Sequence, residues 1–222
     1  MSRQQKLRFN LAYLAAACLS LLSSGILLSV AFPANKHKSP DYIKTVDYQL
    51  FQTGDIIFRG GNSLLSQAVT SADAGSPFSH VGLVKIIGDR PFVIHASTGE
   101  TFDDGTVKID SLEAFLAKDN ASVVAIYRLQ VSEATISQLA AEIATSYAQE
   151  NLAFDAEFDL TTPDKLYCTE LIWRAYLTAG IDLTDGKFDK LQLPMRQGEY
   201  LLPSRLLSSQ YLKQVYFFQL ER

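Results

Sequence analysis

The stretch KLYCTELIWRAYLTAG, residues 165–180, decides how the rest of the chain is interpreted, because it contains Cys168 within a helical pattern. Its small and apolar residues recur at the spacing of one helix face, a set made up of Cys168, Leu171, Ile172, Ala175 and Ala179. Cysteine is among the residue types most often buried in proteins. The spacing by itself therefore favours packing of Cys168 in a core over catalysis.

The position of Cys168 on this predicted helix favours catalysis instead. Pro163 and Asp164, just upstream, are residues that commonly start helices, and Gly180 is a good stop. Cys168 is thus expected in the first turn, where the partial positive charge of the helix N-terminus stabilises a thiolate. We expect a pKa of this thiol below the ordinary value of about 8.5.

Composition excludes some classes of function. The chain has 222 residues, of which 47% are hydrophobic and 20% charged, and its net charge is −4. These proportions are typical of one globular domain large enough to bury a core. Lysine and arginine are scattered and form no basic stripe, so nucleic acid is not expected as a partner.

The N-terminus is expected to direct export. Arg3, Lys6 and Arg8 precede residues 11–34, which contain no charged side chain and are long enough to span a bilayer. We interpret residues 1–34 as a membrane anchor or a signal peptide, residues 35–50 as a linker and residues 51–222 as the functional domain. The basic end stays inside, so the domain is expected in the cell envelope on the periplasmic or extracytoplasmic face, membrane-anchored or secreted.

Export makes the thiol unusual. The chain has two cysteines, Cys18 in the leader and Cys168 in the domain, so Cys168 has no partner for a disulfide within the domain. An unpaired thiol in an oxidising compartment is a liability unless it is buried or used.

Two of the three histidines are expected side by side. The strands SHVGLVKI and PFVIHAS flank Gly88–Asp89, a plausible hairpin turn. A two-residue turn places His80 opposite Ser97 and Gly82 opposite His95, so both imidazoles project from the same face. The opposite face is apolar and suits a core. Two histidines without a matched set of cysteines or carboxylates make a poor zinc site, so no metal and no cofactor is expected.

The remaining pattern predicts an α+β domain. Strands are expected in GDIIFRG, TVKID and ASVVAIYRL, and helices in NSLLSQAVTSA, SLEAFLAKD and residues 133–149. The loop that contains Asp155, Glu157 and Asp159 is typical of a solvated acidic segment; the alternative is that it borders a cleft and selects a cationic substrate.

Three motifs in this order, GDIIF, SHVGLV and YCTEL, resemble the circularly permuted papain-like hydrolases, in particular the YiiX/YebB-like group related to NlpC-type peptidases. The similarity extends from Gly54 to about Gly180, with a weaker echo in YLLPSRLLSSQYL, residues 200–212. It implies a permuted papain-like fold in which an antiparallel sheet packs against a helix with the cysteine at its N-terminus.

The resemblance also implies roles for residues. Cys168 takes the position of the nucleophile, His80 that of the base and His95 that of the polar residue that orients the base, with Glu100 as a minor alternative to His95. The backbone N–H of Cys168 is a ready oxyanion donor. A second donor could be Gln67 or a loop amide.

The expected function is a thiol-dependent hydrolase of amide or peptide bonds outside the cytoplasm that works through an acyl-enzyme. Its expected substrates are peptides, muropeptides or lipid-linked molecules, with cell-wall peptide suggested only by analogy. One alternative is a lipid acyl hydrolase or acyltransferase that uses the same thiol. A second alternative is a catalytically silent binding domain, against which the intact set Cys168, His80 and His95 argues.

Overall fold

Most of the strands in the described residues belong to one β-sheet. The computed structural model describes residues 47–61, 63–73, 76–99, 104–117, 120–130, 134–193 and 196–219. The predicted anchor or signal peptide and most of the predicted linker lie outside these ranges. The described residues belong to one compact unit. Within the described ranges, no helix has the length and hydropathy needed to cross a bilayer.

The described residues form ten strands and five α-helices. The strands are β1 Ile56–Gly60, β2 His80–Ile87, β3 Arg90–Ser97, β4 Thr106–Ser111, β5 Val123–Leu129, β6 Ala153–Phe154, β7 Lys165–Leu166, β8 Asp189–Leu193, β9 Arg196–Tyr200 and β10 Leu212–Gln219. The helices are α1 Leu64–Ala72, α2 Leu112–Phe115, α3 Ala134–Gln149, α4 Cys168–Thr178 and α5 Pro203–Leu207. The predicted α+β class is confirmed. Strands β6 to β10 and helix α5 are additional to the predicted elements.

Eight strands pair in the order β10-β5-β1-β2-β3-β4-β6-β7, while β8 and β9 form a separate hairpin. Every pair of neighbouring strands in this order is antiparallel, except that β6 and β7 are parallel. The β2–β3 turn has two residues, as predicted, with Gly88 at φ +62°. This backbone region is one that glycine occupies at little cost.

The β2–β3 hairpin presents different residues on its two faces, because side chains alternate along a strand. Val81, Leu83, Ile94 and Ala96 are buried in a core that also contains the inward faces of α3 and α4. Val84 and Val93 are buried in a second core with Phe115 of α2. The sheet therefore lies between two apolar layers. The predicted antiparallel sheet packed against the cysteine helix is confirmed.

The helix α4 begins at Cys168 itself, with Tyr167 as its N-cap residue. The side chain of Glu170 faces the backbone N–H of Tyr167 at 3.4 Å, which satisfies one donor of this helix end. The expectation that Pro163 and Asp164 start the helix is wrong, since strand β7 intervenes. The predicted stop is confirmed, because Gly180 has φ +107° just beyond the helix.

Candidate active site

A cavity of about 280 Å³ opens at the ends of β1, β2 and β3. Cys168 and His80 both line it, although they lie far apart in the sequence. Its other described lining residues come from the strand ends, from α1 and from two loops: Arg59, Gly61, Ser63, Ser66, Val69, Ser79, Ala96, Ser97, Thr98, Asn120, Phe154 and Phe158. The fold thus brings the predicted nucleophile and the predicted base to one cavity.

Cys168 is a free, partly buried thiol at the first position of α4. Burial raises the pKa of Cys168 to about 11, although the backbone amides of Val81, Thr169 and Cys168 and the charge of Arg59 favour the thiolate. The helix end acts in the expected direction, but desolvation outweighs it. The expectation of a lowered thiol pKa is therefore wrong for the protein without substrate.

His80 is the first residue of β2 and joins His95 through a hydrogen bond of 2.9 Å between His80 Nε2 and His95 Nδ1. Its ring stacks on Phe115, with the ring centroids 5.6 Å apart. The pKa of His80 is well below its ordinary value because of burial and because Arg59, His95 and Lys108 contribute positive charge nearby. His80 is thus a neutral imidazole at neutral pH, able to accept a proton.

His95 connects His80 to an aspartate. Its side chain is 2% exposed, and its Nε2 lies 3.0 Å from Asp110 Oδ2. Although desolvation acts in the opposite direction, hydrogen bonding to His95 and the charges of His95 and Lys108 lower the pKa of Asp110 to about 2. Desolvation lowers the pKa of His95 to about 4, despite the hydrogen bond and charge of Asp110. A neutral imidazole therefore meets an ionised carboxylate.

These hydrogen bonds assign the tautomers. Ionised Asp110 can only accept, so His95 Nε2 carries its proton and donates it. His95 Nδ1 then has the lone pair and accepts from His80 Nε2. The remaining nitrogen of His80, Nδ1, is left with a lone pair that can accept a proton. Asp110 thus fixes the state of the base through one intervening ring.

Arg59 is the second residue of the site that sequence reasoning missed. It lies opposite His80 in the pairing of β1 with β2, so both side chains project from one face. Its guanidinium carbon lies 4.8 Å from the centre of the Phe115 ring. Burial lowers the pKa of Arg59 to about 10, and the charges of Cys168 and Asp110 oppose this change. Arg59 therefore remains a cation at neutral pH.

Local sequence carried only weak signals for Asp110, Arg59 and Phe115. Each lies on a correctly predicted element, and the alternation along GDIIFRG and TVKID gives a face to Arg59 and to Asp110. Nothing local indicates which strands become neighbours, since β4 follows β3 after a long loop. Phe115 reads as an ordinary apolar residue of a short helix.

The remaining candidates from the sequence have different outcomes. Glu100, the alternative to His95, lies outside the described residues. Gln67 is exposed on α1, and the side chains that line the cavity from this helix are Ser66 and Val69. Asp155 is buried and accepts the backbone N–H groups of its own loop. This loop contributes Phe154 and Phe158 to the cavity rather than its acids.

The histidine pair does not fit a metal ion. His95 uses both ring nitrogens in hydrogen bonds, and His80 uses one. Only one imidazole nitrogen and the thiol are left, beside the positive charge of Arg59. Within the described ranges, no three histidine, cysteine, aspartate or glutamate residues are grouped to hold a metal.

Comparisons with known proteins agree with this architecture. A family model described as permuted papain-like amidase enzyme, YaeF/YiiX, C92 family, matches residues 50–216. The crystal structure of metalloprotein YiiX from Escherichia coli O157:H7 matches with a TM-score of 0.63 and 23% sequence identity, over 76% of this chain and 98% of that chain. No curated protein gives a significant match. The permuted papain-like fold expected from the sequence is confirmed.

Proposed function

The chain belongs to the permuted papain-like amidases of the YaeF/YiiX family, and from this premise we propose that Cys168, His80 and His95 hydrolyse an amide or peptide bond. Membership makes the protein an enzyme of the cysteine amidase and peptidase type. The observation that carries the residue assignment is the cavity shared by Cys168 and His80, together with the hydrogen bonds from His80 to His95 and from His95 to Asp110.

The resting pair is a thiol and a neutral imidazole. As the sulfur attacks the carbonyl, His80 Nδ1 takes the thiol proton, and the C–S bond of a tetrahedral intermediate forms. The imidazolium then protonates the leaving amine as the C–N bond breaks. Water, deprotonated by His80, attacks the acyl-enzyme and releases the carboxylic acid and the thiol.

Neighbouring groups support each charge in this sequence. The backbone N–H of Cys168, in the first turn of α4, has no partner within the helix and can donate to the oxyanion. The imidazolium of His80 is stabilised through His95 by ionised Asp110. His95 is a positioning residue, since it touches the base and not the reacting carbonyl.

The test begins with labelling. A Cys18→Ala variant of the full-length chain leaves Cys168 as its single thiol. We expect a thiol-directed activity probe with an amide scaffold to label this variant, and Cys168→Ser or His80→Ala in the same background to remain unlabelled. Labelling of the His80→Ala protein at an unchanged rate would contradict the assignment of the base.

Substrate class is tested next with muropeptides and phospholipids. We propose that the enzyme lies in the cell envelope and that its substrate is a cell-wall peptide. The location is supported by the uncharged residues 11–34, which follow a basic N-terminal segment. Release of a new amine from a muropeptide, lost in Cys168→Ala, is the expected result. Protease accessibility of the domain in intact cells against spheroplasts checks the location.

One observation favours the lipid alternative. Leu64, in the first turn of α1, is 85% exposed, and the same helix contributes Ser66 and Val69 to the cavity. An exposed leucine beside a cavity suits an acyl chain. Release of fatty acid from phospholipid, without amine release from muropeptides, would select the lipid hydrolase over the amidase.

A further inference from the structure

Among the described residues, no acidic side chain forms an ion pair with Arg59. Its Nη1 donates to the backbone carbonyl of Asn120, and its buried Nε has no hydrogen-bond partner among the described residues. The described residues include no carboxylate in an ion pair with it, whereas Arg128 and Arg205 each contact an aspartate. Burying a cation without such a partner is unfavourable.

The cavity is otherwise free of formal charge. Arg59 is the single charged side chain among its described lining residues, since His80 is neutral and Cys168 is a thiol at neutral pH. The polar remainder consists mainly of hydroxyl groups and amides. A substrate group that enters this cavity therefore meets a positive potential that no acid among the described lining residues compensates.

Two contacts fix the position of the Arg59 guanidinium. The guanidinium carbon lies 4.8 Å from the centre of the Phe115 ring, and Nη1 donates to the Asn120 carbonyl. The free N–H of Nε is left on another edge of the same planar group. Arginine pairs preferentially with carboxylates and phosphates, which accept from its fork of N–H donors. A substrate carboxylate in the cavity would give this guanidinium the acidic partner that the described residues do not supply.

We propose that Arg59 binds a carboxylate of the substrate beside the scissile carbonyl, so that the enzyme selects amides with a free carboxylate close to the bond. This inference rests on the proposed function and names the substrate class of the same site. Because Arg59 is the cross-strand neighbour of His80, the bound carboxylate lies next to the base. Arg59 is a specificity-determining residue.

The test compares two reagents that differ in charge and hardly in shape, iodoacetate and iodoacetamide. Rates of Cys168 alkylation are measured by mass spectrometry in full-length Cys18→Ala protein at about pH 9, where imidazole is neutral. The rate with each reagent is divided by the rate at which the same reagent alkylates glutathione. We expect the iodoacetate-to-iodoacetamide ratio to exceed that of glutathione by about tenfold. Arg59→Met should abolish this preference, and Arg59→Lys should keep part of it.

Arg90→Met is the matched control, since Arg90 is an arginine on β3 that pairs with Glu113 outside the cavity. It should leave the ratio unchanged. A wild-type ratio equal to that of glutathione, or a preference that survives in Arg59→Met, overturns the proposal. Because alkylation needs no turnover, a protein that lacks amidase activity but retains the preference contradicts the proposed function and not the carboxylate site.

Protection of wild-type Cys168 makes the test independent of variant folding. N-acetylglycine should slow alkylation by iodoacetamide, and N-acetylglycinamide, which lacks the carboxylate, should not. Equal protection by both compounds overturns the proposal. Protection by inorganic phosphate without protection by N-acetylglycine also overturns it, because the site would then be one for phosphate.

Discussion

The two faces of the β2–β3 hairpin differ more in chemistry than in burial. On one face Val81, Leu83, Ile94 and Ala96 are buried against α3 and α4. On the other, His80 and His95 occupy the same strands and pack around Phe115. Strand alternation separates these two sets while the backbone holds them rigidly together.

The comparison shows that one face of the hairpin is wholly apolar, whereas on the other two imidazoles lie beside the buried Val84 and Val93. The apolar face contributes free energy of folding through burial, at about 25 cal/mol per Å². On the face that bears His80 and His95, the imidazoles are buried, which costs free energy unless each ring nitrogen has a hydrogen-bond partner. The hydrogen bonds from His80 to His95 and on to Asp110 supply those partners.

The largest effect should come from His80→Ala, which removes the base but no part of the apolar core. We expect kcat/KM to fall by about 10⁴-fold, as when one member of a catalytic triad is removed. The thermal midpoint should fall by less than in a core deletion, because the buried His95 Nδ1 loses only the donor that His80 supplies. Turnover assays and thermal denaturation of the same preparation measure both. A loss of stability as large as that of a core deletion would break the separation of the two faces.

Leu83→Ala should do the reverse. This fully buried side chain packs in the core on the α4 side, and its truncation should lower the free energy of unfolding by about 2–5 kcal/mol. The folded fraction should keep its turnover. Urea denaturation measures the change, and Leu139→Ala, at a side chain 45% exposed, is the control expected within about 0.5 kcal/mol.

Acid should lower the free energy of unfolding through protonation linked to His95. Because the pKa of His95 in the folded protein is about 4, the unfolded chain binds a proton as pH falls below about 6.5 and the folded protein does not. Stability is therefore fully present above about pH 6.5 and is lost progressively down to about pH 4. The loss from this residue is about 3 kcal/mol, because one pKa unit corresponds to about 1.4 kcal/mol.

His95→Asn sharpens this prediction, because asparagine keeps a donor and an acceptor but does not titrate. The decline between about pH 6.5 and 4 should become shallower in this variant, as measured by urea midpoints across that range. His95→Asn should also retain more turnover than His95→Ala. An unchanged pH slope would contradict the assignment of His95 as a buried neutral ring.

Much of the fold follows from local pattern. The two-residue turn at Gly88–Asp89 fixed the register of β2 and β3, and with it the common face of His80 and His95. The first-turn position of Cys168 was predicted from Pro163 and Asp164 upstream and was implied by the resemblance to permuted papain-like hydrolases, and the helix does begin at Cys168. The helix start was misplaced at Pro163, because a two-residue strand such as β7 is defined by its partner and leaves no period in the sequence.

The sequence by itself determined the α+β class and the pair of histidines, because these depend on periodicity and on one short turn, and the resemblance implied Cys168 at the start of its helix. Only the tertiary structure decided that Asp110 and Arg59 join the site, since strands separated by long loops become neighbours through packing. It also decided that the thiol is protonated at rest. Desolvation is set by everything that surrounds Cys168, and here it exceeds the effect of the helix end.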